Sequence, residues 1–210
     1  MLLAVQLWVG HIRMMRVAIC LAIFLFGLAA PVRADGAIEK IITSQDRSRL
    51  QRYEPIKKAA LAEAEAGGAT EDLAVLRKAL EGRPLSMSGN YKITGNWRCQ
   101  MIKVGSKSTD MLALVVYPAF KCRVKDTGAG WFMEKISGSQ RTSGYLYTDG
   151  DKRLIYLGAG SVNDDPQREY NQQMEFNEPA YVSRLANNKL VFEFPEPTLE
   201  SKLNVLVLQR

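Results

Sequence analysis

Lys135, Gln140 and Arg141 stand on either side of a short turn, Ser137-Gly138-Ser139. A glycine turn presents backbone amides. An ammonium and a guanidinium beside it complete a cradle for a carboxylate or phosphate. Ser139 adds a hydroxyl, Tyr145 an aromatic ring on the same run, and Arg123 a second guanidinium from a neighbouring run. We therefore take Lys135, Ser139, Gln140, Arg141, Tyr145 and Arg123 as the candidate ligand-binding residues. A plainer reading stands beside it. Gly138 makes a hairpin turn that the serines close, and Arg98, Lys121, Arg123 and Lys125 are the solvent side of alternating strands.

Other chemistry is narrowed by what the chain lacks. Its one histidine is His11. Residues 1–34 carry Arg13 and Arg16, an apolar run from Val17 to Ala30, then Pro31 and the small-residue pattern Val32-Arg33-Ala34. That order is a secretory signal with cleavage expected after Ala34. The apolar run is shorter than the roughly 20 residues a membrane span needs, so no stable span is expected after cleavage. The expected location is the periplasm. His11 leaves with the signal, and the remaining chain cannot build a Ser-His-Asp triad, a Cys-His dyad or a His-ligated zinc site. No catalytic residue, metal ligand or cofactor is assigned. Ser161-Val162-Asn163-Asp164-Asp165-Pro166 offers oxygen atoms, but lacks the ligand spacing of an EF-hand and reads as a polar turn. Asp164, Asp165, Glu169 and Glu175 are carboxylates from which a glycosidase pair would be drawn. Linear sequence gives no separation between them.

Charge argues against nucleic acid. Three of the 28 basic residues leave with the signal, so 25 remain against 22 acidic ones. That mild excess has no run of five like charges, and nucleic-acid binding needs a clustered basic face. Cys99 and Cys122 are the two cysteines of the mature chain. In an oxidising compartment such a pair is expected to be bridged.

The elements that must position these residues fall in two blocks. Residues 35–84 read as helical. Thr43-Ser44-Gln45-Asp46 has the form of a capping box. Pro55 suits the first turn of a second helix ending at Gly67-Gly68. Thr70 is expected to cap a third, with Leu73, Leu76 and Leu80 as its apolar stripe. The second helix is rich in alanine and is expected to bury little, as part of an appendage on the main domain. From residue 85 to 210 the apolar period changes to 2. Runs begin around Tyr91–Met101, with a continuous apolar strand Met111–Tyr117 and an alternating run Phe120–Val124. They continue through Trp131–Ile136, Arg141–Tyr147, Arg153–Leu157, Glu169–Met174, Tyr181–Leu185, Lys189–Phe194 and Leu203–Leu208. Thr127-Gly128, Thr148-Asp149-Gly150 and Asn187-Asn188 separate some of them with turn chemistry. Eight to ten short strands without intervening helices predict a mainly β fold, an antiparallel up-and-down barrel with a short helical N-terminal region. Tyr91, Trp97, Trp131, Tyr145, Tyr147 and Tyr156 either line a pocket inside it or fill it, and filling is the expectation for a barrel this narrow.

Three groups of residues occur together: Trp97-Arg98-Cys99 with Phe120-Lys121-Cys122-Arg123, Lys135 to Arg141 with Gly144-Tyr145-Leu146-Tyr147, and Pro195-Glu196-Pro197 with Glu200-Ser201. As a set they resemble an uncharacterised bacterial family, domain of unknown function 4893, across nearly the whole mature chain. The resemblance implies an exported protein and no particular activity. Gly95-Asn96-Trp97-Arg98-Cys99 is also similar to the first strand of the avidin-like (lipocalin/avidin-like) barrel of bacterial metalloprotease inhibitors. The expected helices before it depart from that pattern, so this second likeness concerns fold. Together these readings point to an exported, non-catalytic binding or interaction module whose partner is an unknown protein or small envelope ligand. A histidine-independent hydrolase or transferase using carboxylates, and a structural envelope factor, are the alternatives.

Overall fold

The computed structural model describes residues 38–88 and 91–210. The expected signal, residues 1–34, lies outside the described residues. Eight strands close on themselves in sequence order, each antiparallel to its neighbours, with the last pairing with the first. They are β1 Gly95–Ser106, β2 Leu114–Asp126, β3 Trp131–Lys135, β4 Gln140–Thr148, β5 Arg153–Val162, β6 Asn177–Ala186, β7 Lys189–Pro195 and β8 Ser201–Gln209. Closure leaves no strand edge unpaired. The fold is the mainly β, up-and-down barrel that the period-2 pattern predicts.

One expected run differs. Glu169–Met174 is a turn-rich connection ending in a single 3₁₀ turn, Met174–Phe176. It has no apolar alternation, and Asn171 adopts φ 65°, which breaks an extended strand. Met111 also lies outside β2.

The interior is apolar toward one end. Trp97, Cys99, Val124, Met133, Leu146, Leu154, Tyr156, Phe192 and Leu208 pack there. Tyr156 and Phe192 are fully buried and meet edge to face, with centroids 5.6 Å apart. At this end the barrel is filled, as a narrow barrel requires. The segment before β1 closes it from below: Met87 and Ile93 are buried in the same cluster, and the Trp97 indole N–H donates to the Ile93 carbonyl at 3.0 Å. Cys99 and Cys122 are bridged inside this region, with Cα atoms 5.8 Å apart. Cys99 lies opposite Phe120 and Cys122 opposite Trp97, so the bridge runs diagonally between β1 and β2.

Among the described residues four helices precede the barrel: α1 Ile38–Ile41, α2 Ser44–Gln51, α3 Tyr53–Gly67 and α4 Thr70–Leu80. Thr43 caps α2 by accepting the Asp46 N–H at 3.1 Å. Ala69 rather than Thr70 occupies the cap position of α4. The alanine-rich α3 buries more than its side chains suggest. Ala60 and Ala64 are sealed against the outer face of the barrel, beside Ile102, Val104, Leu203 and Val205. Small side chains let two backbones approach, and a Cβ on Gly105 would stand 3.0 Å from the Ala60 Cα. The outward positions of β1, β7 and β8 are apolar in turn and form a second core with the helices. Among the described residues no helix is long and apolar enough to cross a membrane.

Candidate functional site

The helices leave the outer wall formed by β3, β4 and β5 to another element. The connection between β5 and β6 folds back across it. A groove of about 680 Å³ lies between that connection and the wall, and Phe132, Glu134, Ser143, Tyr145, Gln167 and Arg168 are among its lining residues. A smaller lobe of about 260 Å³ shares Glu134, Ser143 and Gln167 with it and runs on to Arg141 and Ile136.

Strand register explains the shape. Outward positions alternate along β4 as Arg141, Ser143, Tyr145 and Tyr147. Phe132 lies directly opposite Tyr145, and Tyr145 opposite Leu157, which makes an apolar row across three strands. The next row pairs Glu134 with Ser143 and Ser143 with Ala159. Two small side chains in that row leave a trough beside the aromatic row. Phe132 and Tyr145 meet edge to face at 5.0 Å. Gly144 holds the floor close, since a Cβ there would fall 2.2 Å from the Leu157 carbonyl oxygen.

The groove is charged as well as aromatic. Arg123 and Lys125 both contact Oε1 of Glu134, at 2.6 and 2.8 Å. Burial disfavours the Glu134 carboxylate, but the hydrogen bonds and charges of Lys125 and Arg123 outweigh it and hold its pKa below the ordinary value. Arg168 pairs with Asp165 at 3.1 Å and lies 3.9 Å over the Phe176 ring. Tyr170 at the far end is fixed by Asp46, to which its hydroxyl donates at 2.7 Å. Burial, reinforced by that carboxylate, pushes Tyr170 up to about 12. The connection is thus anchored to α2 at one point and to the barrel wall at another.

The six sequence candidates divide between the two faces of the wall. Tyr145 lines the main groove and Arg141 the smaller lobe. The Arg141 guanidinium donates to the Asp165 carbonyl at 2.9 Å, which ties the connection down. Arg123 stands behind the groove and orients Glu134. Ser139 and Gln140 instead line a cavity of about 140 Å³ at the barrel mouth, with Met101, Tyr117 and Phe120, and Lys135 borders both this cavity and the smaller lobe. The Lys135 ammonium donates to the carbonyls of Ser137 at 2.7 Å and Gln140 at 2.6 Å, and sits 3.8 Å over the Phe120 ring. It therefore closes the very turn that was expected to hold an anion. Desolvation, opposed by Glu178 and assisted by Arg141, pushes Lys135 down to about 8.

Sequence reasoning missed Phe132, Glu134, Gln167 and Arg168, because a groove formed by a loop over a sheet leaves no local pattern. It also missed Lys103 and Glu178, for which a signal existed. Each occupies the inward phase of its strand, Lys103 after Met101 and Glu178 before Ala180 and Val182. A charge in the apolar phase marks an interior polar site.

A family model described as a domain of unknown function, DUF4893, matches residues 39–208. No curated protein and no solved structure matches the chain.

Proposed function

Because the chain belongs to the DUF4893 family, whose description carries no activity, we propose its function from geometry: an exported, non-catalytic module that binds a small envelope ligand in the groove over β3–β5. The observation that carries this reading is the Phe132–Tyr145 row beside the Ser143–Ala159 trough, walled by the 163–170 connection. At about 680 Å³ the groove falls within the usual range of small-molecule sites. Aromatic faces beside amide and charged groups suit a ligand with an apolar face and polar edges, such as a sugar unit of the cell wall. The Cys99–Cys122 bridge supports an oxidising, periplasmic destination.

The acid in the groove, Glu134, favours binding over hydrolysis. A general acid needs a carboxyl held protonated near neutral pH. Glu134 is instead kept ionised by two cations. Titration of the exported chain with soluble muropeptides tests the reading by calorimetry and amide NMR. Saturable binding is expected, with shifts confined to β3–β5 and residues 163–170, and about tenfold weaker in Tyr145→Ala. No binding, or shifts elsewhere, would overturn it. Cleaved muropeptide would move the chain to the hydrolase class.

A further inference from the structure

The smaller lobe of the groove carries a positive charge without a counter-ion. Its two acids are already matched, Glu134 by Arg123 and Lys125, and Asp165 by Arg168. Arg141 lines the lobe beside them and forms no ion pair among the described residues. A guanidinium carries several N–H donors. The one acceptor that Arg141 meets among the described residues is the Asp165 carbonyl, on Nη2. Lys135 borders the same lobe. Its hydrogen bonds go to the Ser137 and Gln140 carbonyls, so its charge strengthens the positive field there without being matched by an acid.

Two hydroxyls stand with the arginine. Ser161 lies directly opposite Arg141 in the β4–β5 ladder, and Ser143 is the next outward position along β4. Both line the lobe, and each residue is 5% exposed. Neither hydroxyl has a hydrogen-bond partner among the described residues. Polar side chains buried to this degree are ordinarily satisfied. A guanidinium and two unpartnered hydroxyls on one face make a donor set for a carboxylate. One negative charge suits them better than two, because Glu134 and Asp165 line the same lobe and repel a dianion.

Room and continuity decide what carries that carboxylate. The lobe holds about 260 Å³, and about 150 Å³ already admits a molecule the size of benzene. That is space for a carboxylate on a short arm. Ile136 lines the lobe too, 45% exposed, and offers the arm an apolar contact. Glu134, Ser143 and Gln167 border both the lobe and the main groove, so one ligand can occupy the two together.

We infer that the groove's ligand is an acidic sugar, with its ring on the Phe132–Tyr145 row and its carboxylate in the lobe, held by Arg141, Ser143 and Ser161. The inference rests on the groove reading above and adds the charge of the ligand and the residues that select it. A sugar with an ether-linked lactyl group has this form, its carboxylate toward Arg141 and its methyl toward Ile136.

The experiment is a titration of the bridged protein with N-acetylmuramic acid and N-acetylglucosamine, which differ only in the lactyl arm. Lactate and a phosphorylated N-acetylglucosamine are run beside them, and binding is read by calorimetry and amide NMR. The acidic sugar is expected to bind saturably and to shift Ser143 and Ser161, with the neutral sugar at least about tenfold weaker, the factor that about 1.4 kcal/mol represents. Arg141→Gln removes the charge but keeps an N–H for the Asp165 carbonyl, and should bring the acidic sugar down to the level of the neutral one. The Ser143→Ala and Ser161→Ala double variant leaves that anchor in place and should also weaken the acidic sugar. Equal binding of the two sugars by the unaltered protein would overturn the inference and leave the groove reading standing, whereas silence from both would overturn the two together. Lactate binding as tightly as the acidic sugar would reveal an adventitious ion only and would overturn the inference. Tighter binding of the phosphorylated sugar would do the same.

Discussion

Arg49 and Asp46 face each other one turn apart on α2, with Nη1 of the arginine 3.0 Å from the carboxylate and both side chains buried. The same Asp46 accepts from Thr43, Tyr170 and Asn177, at 2.8, 2.7 and 2.7 Å. Arg49 donates to the carbonyls of Asn177 and Glu196, at 2.9 and 2.7 Å. One carboxylate thereby joins α2, the connection that walls the groove, and the start of β6. Removing it leaves a buried guanidinium uncompensated, which typically costs about 3–5 kcal/mol. Asp46→Ala is expected to lose that amount in urea unfolding, and to raise hydrogen exchange across residues 163–173 more than in β1 or β8.

The bridge between Cys99 and Cys122 spans 23 residues. Closing a loop of that size removes about 3 kcal/mol of unfolded-chain entropy. The bridged protein should weigh two hydrogens less than its reduced form by intact-mass measurement. Reduction, or the Cys99→Ser and Cys122→Ser double variant, should lower the urea midpoint by a corresponding amount. An unchanged midpoint would show that the unfolded chain gains little freedom.

Lys135 gives a pH dependence with a definite sign. Its folded pKa is pushed down to about 8, chiefly by desolvation, against roughly 10.4 for a free lysine. Between those values the unfolded chain holds more protons, so the stability this group contributes is full above roughly 10.4 and is lost as pH falls through about 8. Lys135→Met removes the titration. Its stability relative to wild type should be most favourable near pH 7 and decline as pH rises to 10. A difference that stays flat over this window would show that the ammonium is not desolvated.

Two glycines meet across β4 and β5, Gly144 opposite Gly158. A Cβ on Gly144 would strike the Leu157 backbone, and one on Gly158 the Tyr156 hydroxyl at 2.1 Å. Neither position has spare room, and overpacking of this kind costs about 1–3 kcal/mol. Gly144→Ala should therefore destabilise the barrel and distort the groove floor. Gly150→Ala, in an open turn with nothing within 4 Å, should cost only the strain of its φ of 73°, about 1–2 kcal/mol. Equal stability of Gly144→Ala and wild type would rule out the close approach.

Gly138 tests the turn itself. Its φ is 87°, and an added Cβ would stand 2.6 Å from Phe120 and 2.8 Å from the Lys135 ammonium. Gly138→Ala is expected to displace Lys135 from the Phe120 ring, seen as a changed methylene shift of Lys135 in NMR, with a loss of about 1–3 kcal/mol.

The period-2 runs and their turn residues were enough to specify a closed antiparallel sheet, because side-chain direction in a strand alternates whatever the partner. Trp97, Cys99, Cys122 and Val124 announce their inward phase in this way, and the cysteine count after the expected cleavage, with the expected compartment, points to the pairing of Cys99 with Cys122. Thr43 and Gly67-Gly68 mark helix ends through short-range hydrogen bonding and backbone freedom. The position of α3 was decided only in three dimensions, since Ala60 and Ala64 acquire value from the apolar wall they approach. So was the fate of Glu169–Met174, whose Tyr170 is captured by Asp46 from a distant helix. The candidate site divides along the same line. Residue type made Lys135 and Arg141 candidates, but alternation along β3 and β4 sends one into the barrel and the other to its outer wall. Whether a charge meets a ligand, a carbonyl or another charge depends on groups far away in the chain, and local sequence carries no record of them.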